Sequence, residues 1–152
     1  MESDRALVAR QLGRAPRAFR RVVIRCPFGR PAVTEQAPRD ENGEPFPTMY
    51  WLTCPHLVAV VSRVEAAGGV ERWSRAAAED AELTRSLESA HAEQRRLRPE
   101  LDVGVGGARS GAGSLKCLHA HAAFALAHPE YELGRRIVAE LEPMWPDVCC
   151  TD

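Results

Sequence analysis

Apolar positions come in short β-branched runs near the start of the chain and recur with helical spacing after position 55. Ser3 can cap a short basic helix running to about Leu12, ended by Gly13 and Pro16. Arg21 to Cys26 (RVVIRC) is β-branched and apolar and reads as a strand. Pro27 to Pro31 reads as a turn, and Ala32 to Gln36 as a returning strand, which makes a hairpin. Residues 37–48 hold Asn42-Gly43 and three prolines and read as a loop. Met49 to Thr53 leads into a helix from Pro55 to Ala67, whose buried stripe is Leu57, Val60, Val61 and Val64, stopped by Gly68-Gly69. The spacing of Leu83, Leu87, Ala90, Gln94 and Leu97 predicts one long helix from Glu71 to Leu97. A glycine-rich loop covers 102–114, a helix runs from about Leu115 to Ala127 before Pro129, and a last helix spans Tyr131 to Leu141. The predicted class is α+β, a mostly helical single domain over 1–152 with a minor N-terminal β-hairpin. Its compact core covers about 14–142, and 143–152 reads as a flexible tail.

Charge changes the picture at one end. The formal net charge is −1 over 152 residues, which gives no overall pull toward nucleic acid or a membrane. Residues 1–30, however, hold eight arginines against Glu2 and Asp4, a net of +6, while 31–48 sum to −3 and 130–152 to −4. The basic end reads either as a surface for a small anionic ligand or an acidic protein partner, or as the chain's own counterpart to its acidic segments. No run approaches the roughly 18 apolar residues of a membrane helix, and the start lacks the apolar core of a signal peptide. A cytoplasmic setting is therefore expected, with the five cysteines reduced and available for metal or thiol chemistry.

Three clusters carry that chemistry: Arg25-Cys26-Pro27-Phe28-Gly29, Thr53-Cys54-Pro55-His56 and Lys116-Cys117-Leu118-His119-Ala120-His121. On a helix, Cys117 and His121 would share a face four residues apart and could bind one ion, while His119 would point elsewhere, toward packing or a substrate. Cys54 is placed where a helix begins, and the free N–H groups there favour a thiolate. Cys26, Cys54 and Cys117 with His121 or His56 would supply three sulfurs and a nitrogen for zinc, or thiolates for an iron–sulfur cluster as the alternative. The catalytic candidates of a metal-free thiol enzyme are Cys54, Cys117, Lys116 and His119. No paired CxxC spacing is present, and free cysteines are often no more than small buried hydrophobes.

The glycine-rich loop invites an anion-binding reading through Gly106, Gly107 and Arg109, although it matches neither a P-loop nor a dinucleotide fingerprint. The opposing reading is a connector. His91 reads as a surface residue of the charged helix, and Cys149-Cys150 as incidental.

The clusters in this order resemble a bacterial family catalogued as domain of unknown function 501. The stretches that carry the resemblance are RCPFGRPAV (25–33), GEPFPTMYWLTCPHL (43–57), EAAGGV (65–70), GVGG (104–107) and KCLHAHAAFALA (116–127). The resemblance covers roughly residues 14–140 and brings no activity with it. It implies that Cys26, Cys54, His56, Lys116, Cys117, His119 and His121 belong to signature motifs, which shifts the balance from core packing toward a shared metal or thiol site. Three readings stay in play: a metal site, a metal-free enzyme with a cysteine nucleophile, and a binding module using the basic end.

Overall fold

A computed structural model describes residues 1–109 and 115–150. The elements run α1 (Asp4–Leu12), β1 (Phe19–Arg25), β2 (Pro31–Gln36), β3 (Tyr50–Leu52), α2 (Pro55–Ala66), α3 (Gly69–Glu79), α4 (Ala81–Leu97), α5 (His119–Ala127) and α6 (Glu132–Ala139). The class is α+β and mostly helical, as the pattern predicts. Among the described residues, no helix is long and apolar enough to cross a membrane.

The sheet is antiparallel in the order β1-β2-β3. The hairpin is present, with Val22 opposite Thr34 and Ile24 opposite Val33. A third strand adds to it, pairing Thr34 with Trp51 and Glu35 with Tyr50. Sequence reading takes Met49 to Thr53 only as the lead-in to α2, because a three-residue strand is too short to show alternation. Every residue of the central β2 is buried, including Thr34, Glu35 and Gln36. Their polar groups find partners, as buried groups must. Gln36 donates to the Met49 carbonyl, Thr34 donates to Gln36, and Glu35 accepts from Arg20 and Arg21.

The expected single helix from Glu71 to Leu97 is two helices. Asp80 adopts an extended conformation, and its carboxylate accepts from the N–H groups of Glu82 and Leu83 at 2.9 and 3.3 Å. An aspartate that caps the next helix offers the backbone an alternative to continuing the last one. At the far end of α4 the buried Arg98 guanidinium donates to the carbonyls of Gln36 and Pro47, fastening the helix to β2 and the 37–48 loop.

Helix α5 is the centre of the molecule and packs against all three strands, α2 and α6. Residues Ala120 to Ala125 are all buried. Its small side chains allow close approach: a Cβ on Gly134 of α6 would lie 2.6 Å from that of Ala125. Phe124 meets Tyr50 and Tyr131 edge-on at 5.6 and 5.7 Å and stacks on His128 at 4.6 Å. Each such aromatic contact adds about 0.5–1.5 kcal/mol beyond the burial itself.

The helix begins later than expected, at His119 rather than about Leu115. Lys116 has a positive φ of 69°, and Cys117 N–H turns back to the Leu115 carbonyl. Residues 115–118 are therefore a turn, and what stops the helix extending backward is the Glu65 carboxylate, which takes the Leu118 N–H at 2.7 Å.

Residues 141–150, which follow α6, lie against the start of α2. His56 donates from Nε2 to the Pro143 carbonyl at 2.7 Å, and Met144 and Trp145 pack on the core.

Candidate functional site

Glu65 stands in the last turn of α2, where an acid is unfavourable against the negative end of the helix dipole. Its carboxylate reaches across to the first turn of α5, where the sign is favourable. There Oε2 accepts from Leu118 N–H at 2.7 Å and lies 3.1 Å from His119 Nδ1. With the carboxylate as acceptor, Nδ1 carries a proton, and Nε2 faces the Ser62 hydroxyl at 3.4 Å.

Cys117 completes the cluster from the turn before α5. One donor atom each from Glu65, Cys117 and His119 lies within 4.8 Å of the others. All three residues are partly exposed. This is the one group of three or more His, Cys, Asp or Glu donors that close together among the described residues. The expectation that Cys117 and His121 share a helical face fails, because Cys117 precedes the helix.

The remaining predicted residues are placed elsewhere. Cys26 is buried in the β1–β2 turn, its N–H on the Arg30 carbonyl and its own carbonyl on Gly29. Cys54 does occupy the N-cap of α2. Burial nevertheless pushes its thiol up to about 11, against the pull of the Leu57 and His56 N–H groups, with Cys150 adding to the rise. Cys54 is therefore a thiol at neutral pH, not the thiolate its helix position suggests. His121 is buried, with Nδ1 2.7 Å from the Tyr131 hydroxyl and Nε2 3.3 Å from the Leu115 carbonyl. A carbonyl only accepts, so Nε2 carries the proton and Nδ1 accepts from Tyr131. Burial and the neighbouring His91 hold it down to about 4, so the ring stays neutral. His56 is engaged with Pro143, and Lys116 is exposed beside the cluster.

The glycine loop is built into the scaffold. The N–H groups of Gly104, Val105, Gly107 and Ala108 already donate to Ala108, His91, Gly104 and Val105. That occupies the donor an anion would need at Gly107. Arg109 is exposed, and residues 110–114 of the loop lie outside the described residues. His91 is not a surface residue: its Nδ1 holds Val105 N–H, and a Cβ on Gly104 would fall 2.2 Å from it.

The basic end is largely neutralised by the chain itself. Arg5 pairs with Glu41, Arg10 with Glu2, Arg17 with Asp40, Arg20 and Arg21 with Glu35, and Arg25 with Asp4. Arg14 lies over the Trp51 ring.

Sequence reading misses Glu65 and Ser62 as site residues. The signal for Glu65 was available: an acid at the wrong end of a helix implies a partner elsewhere.

Fold and site together define an α+β domain with a partly exposed Glu/Cys/His group that could hold a metal. Residues 22–101, just over half the chain, match the family model described as protein of unknown function (DUF501), and the chain belongs to that family. The matched stretch contains Cys26, Cys54, His56 and Glu65; Lys116, Cys117, His119 and His121 follow it. No curated protein and no solved structure matches.

Proposed function

We propose that Glu65, Cys117 and His119 form a transition-metal centre at the junction of α2 and α5, with zinc as the ion. The observation that carries this reading is the convergence of a carboxylate, a thiol and an imidazole within 4.8 Å. Zinc accepts all three ligand types, whereas all-oxygen sets suit magnesium or calcium. Tetrahedral zinc with bonds of about 2.0–2.3 Å spaces its ligands about 3.3–3.7 Å apart, so closing the set takes a shift of about an ångström. Iron–sulfur ligation finds less support, since it needs several thiolates together and only Cys117 lies in this group.

Three protein ligands leave a fourth position for water or substrate, the arrangement of hydrolytic rather than purely structural zinc. An open groove lined by Glu65, Gly68, Glu71, Ser74 and Arg75 meets the group at Glu65. When bound, zinc would supply a Lewis acid. The chain's own part is to orient: Leu118 N–H at the α5 N-terminus holds the Glu65 carboxylate, Ser62 faces His119 Nε2, and the metal would take the place of the proton that Nδ1 shares with Glu65. Cobalt(II) titration tests this. A thiolate-to-cobalt absorption band is expected in the native chain and absent in Cys117→Ser; a native chain without the band sinks the proposal.

A second reading is favoured by the hydrogen bonding of His119. A carboxylate on Nδ1 and a lone pair at Nε2 are also the parts of a general base, with Cys117 as nucleophile. It predicts fast, single-site alkylation of Cys117 in the presence of chelator. Alkylation at the rate of a model thiol removes it.

A further inference from the structure

We propose that Cys54 and Cys150 are a thiol oxidation site, closing to an intramolecular disulfide that fastens the segment after α6 to the start of α2. The sulfurs are 3.7 Å apart, although the residues are 96 positions apart in sequence. The segment is already held at the same place by the His56–Pro143 contact. A disulfide has its sulfurs about 2.05 Å apart, so closure takes an approach of less than 2 Å. Cys150 stands at a bend outside any helix or strand.

The two thiols differ in access. Cys54 is 2% exposed, whereas Cys150 is exposed. Burial also keeps Cys54 protonated. Cys150 is thus the sulfur that meets an oxidant first, and Cys54 the one that resolves it. With hydrogen peroxide as oxidant, the Cys150 sulfur attacks one peroxide oxygen, the O–O bond breaks, and a sulfenic acid and water form. The Cys54 sulfur then attacks the sulfenic sulfur. The S–S bond forms, the S–O bond breaks, and the hydroxyl leaves as a second water with the Cys54 proton. Two thiols are oxidised by two electrons and one peroxide is reduced. Cys54 and Cys150 lie outside the Glu65–Cys117–His119 group, so this inference stands or falls separately from the metal centre.

The test is peroxide treatment of the full chain followed by non-reducing tryptic mapping. Trypsin cuts after Arg39, Arg63 and Arg136, which isolates Cys54 in peptide 40–63 and Cys149-Cys150 in peptide 137–152. The expected product is monomeric, lighter by two hydrogens, and links these two peptides. The link is lost in Cys150→Ser and retained in Cys149→Ser. Oxidation should also raise the midpoint of thermal unfolding by several degrees, reversibly with dithiothreitol. Intermolecular dimers, over-oxidised Cys150 with Cys54 still alkylatable on unfolding, or a link that survives Cys150→Ser would overturn the proposal. The native chain's map by itself shows whether Cys54 is linked to peptide 137–152, so absence of that link overturns the proposal even if a variant misfolds.

Discussion

Glu65 does two jobs that substitution can separate. As a cap, its Oε2 takes the Leu118 N–H at 2.7 Å at the start of the most buried helix. As a charge, it pairs with His119 and complements the positive end of that helix. Glu65→Ala removes both. A hydrogen bond to a charged group contributes about 1.5–3 kcal/mol, and the dipole interaction about 0.3–1 kcal/mol at a partly exposed site. The side chain is 23% exposed, and water can re-solvate part of the vacated N–H, so the total expected loss is about 2 kcal/mol. Glu65→Gln keeps a carbonyl that can accept from Leu118 and gives up only the charge, so its loss should be about 1 kcal/mol or less. The assay is urea unfolding in chelator, so that metal does not contribute. About 2 kcal/mol corresponds to a fall of roughly 4–8 °C in melting temperature for a chain of this size. If Glu65→Ala unfolds within 0.5 kcal/mol of the native chain, the cap is not holding α5 and the account of the site is wrong.

Three further outcomes are expected. Tyr131→Phe leaves the buried His121 Nδ1 without its donor and should cost about 1–3 kcal/mol, read by urea titration; a neutral result would mean the ring has another partner. Asp80→Ala removes the cap that separates α3 from α4 and should cost about 1 kcal/mol. Amide exchange should show the loss concentrated at Glu82 and Leu83, and uniform protection there would count against it. Glu140 is held below the ordinary carboxylate range chiefly by its hydrogen bond to Arg72, with Trp73 assisting. Its folded value is depressed, so its stabilisation is present above about pH 4.5 and is lost as pH falls through the folded value. Glu140→Gln should therefore unfold with a shallower acid dependence below pH 4.5, followed by circular dichroism; identical acid curves would contradict the assignment.

Elements governed by local rules were legible in the sequence. Ser3 and Gly13 bound α1, Pro55 opens α2, and a β-branched apolar run followed by a Pro-Gly turn marks the hairpin. What was not legible depends on partners distant in sequence. β3 exists because β2 offers an edge to three residues too few to announce themselves. The late start of α5 follows from a carboxylate 53 positions away. Asp80 is different, since an Asp followed two residues on by Glu82 is a local cap signature hidden by an apolar stripe that runs through the break. At the site, residue type pointed to Cys117 and His119, but spacing could not tell which other groups would meet them. Glu65 arrives through the packing of α2 against α5, and His121 is drawn into the core by Tyr131.

The central claim is that the metal set is Glu65, Cys117 and His119. The most direct measurement is elemental analysis of the protein purified without chelator, alongside Cys117→Ala, His119→Ala and Cys54→Ala. The account predicts about one zinc per chain, lost in the first two variants and kept in the third. No stoichiometric metal in the native chain, or metal that survives Cys117→Ala and disappears with Cys54→Ala, would contradict it.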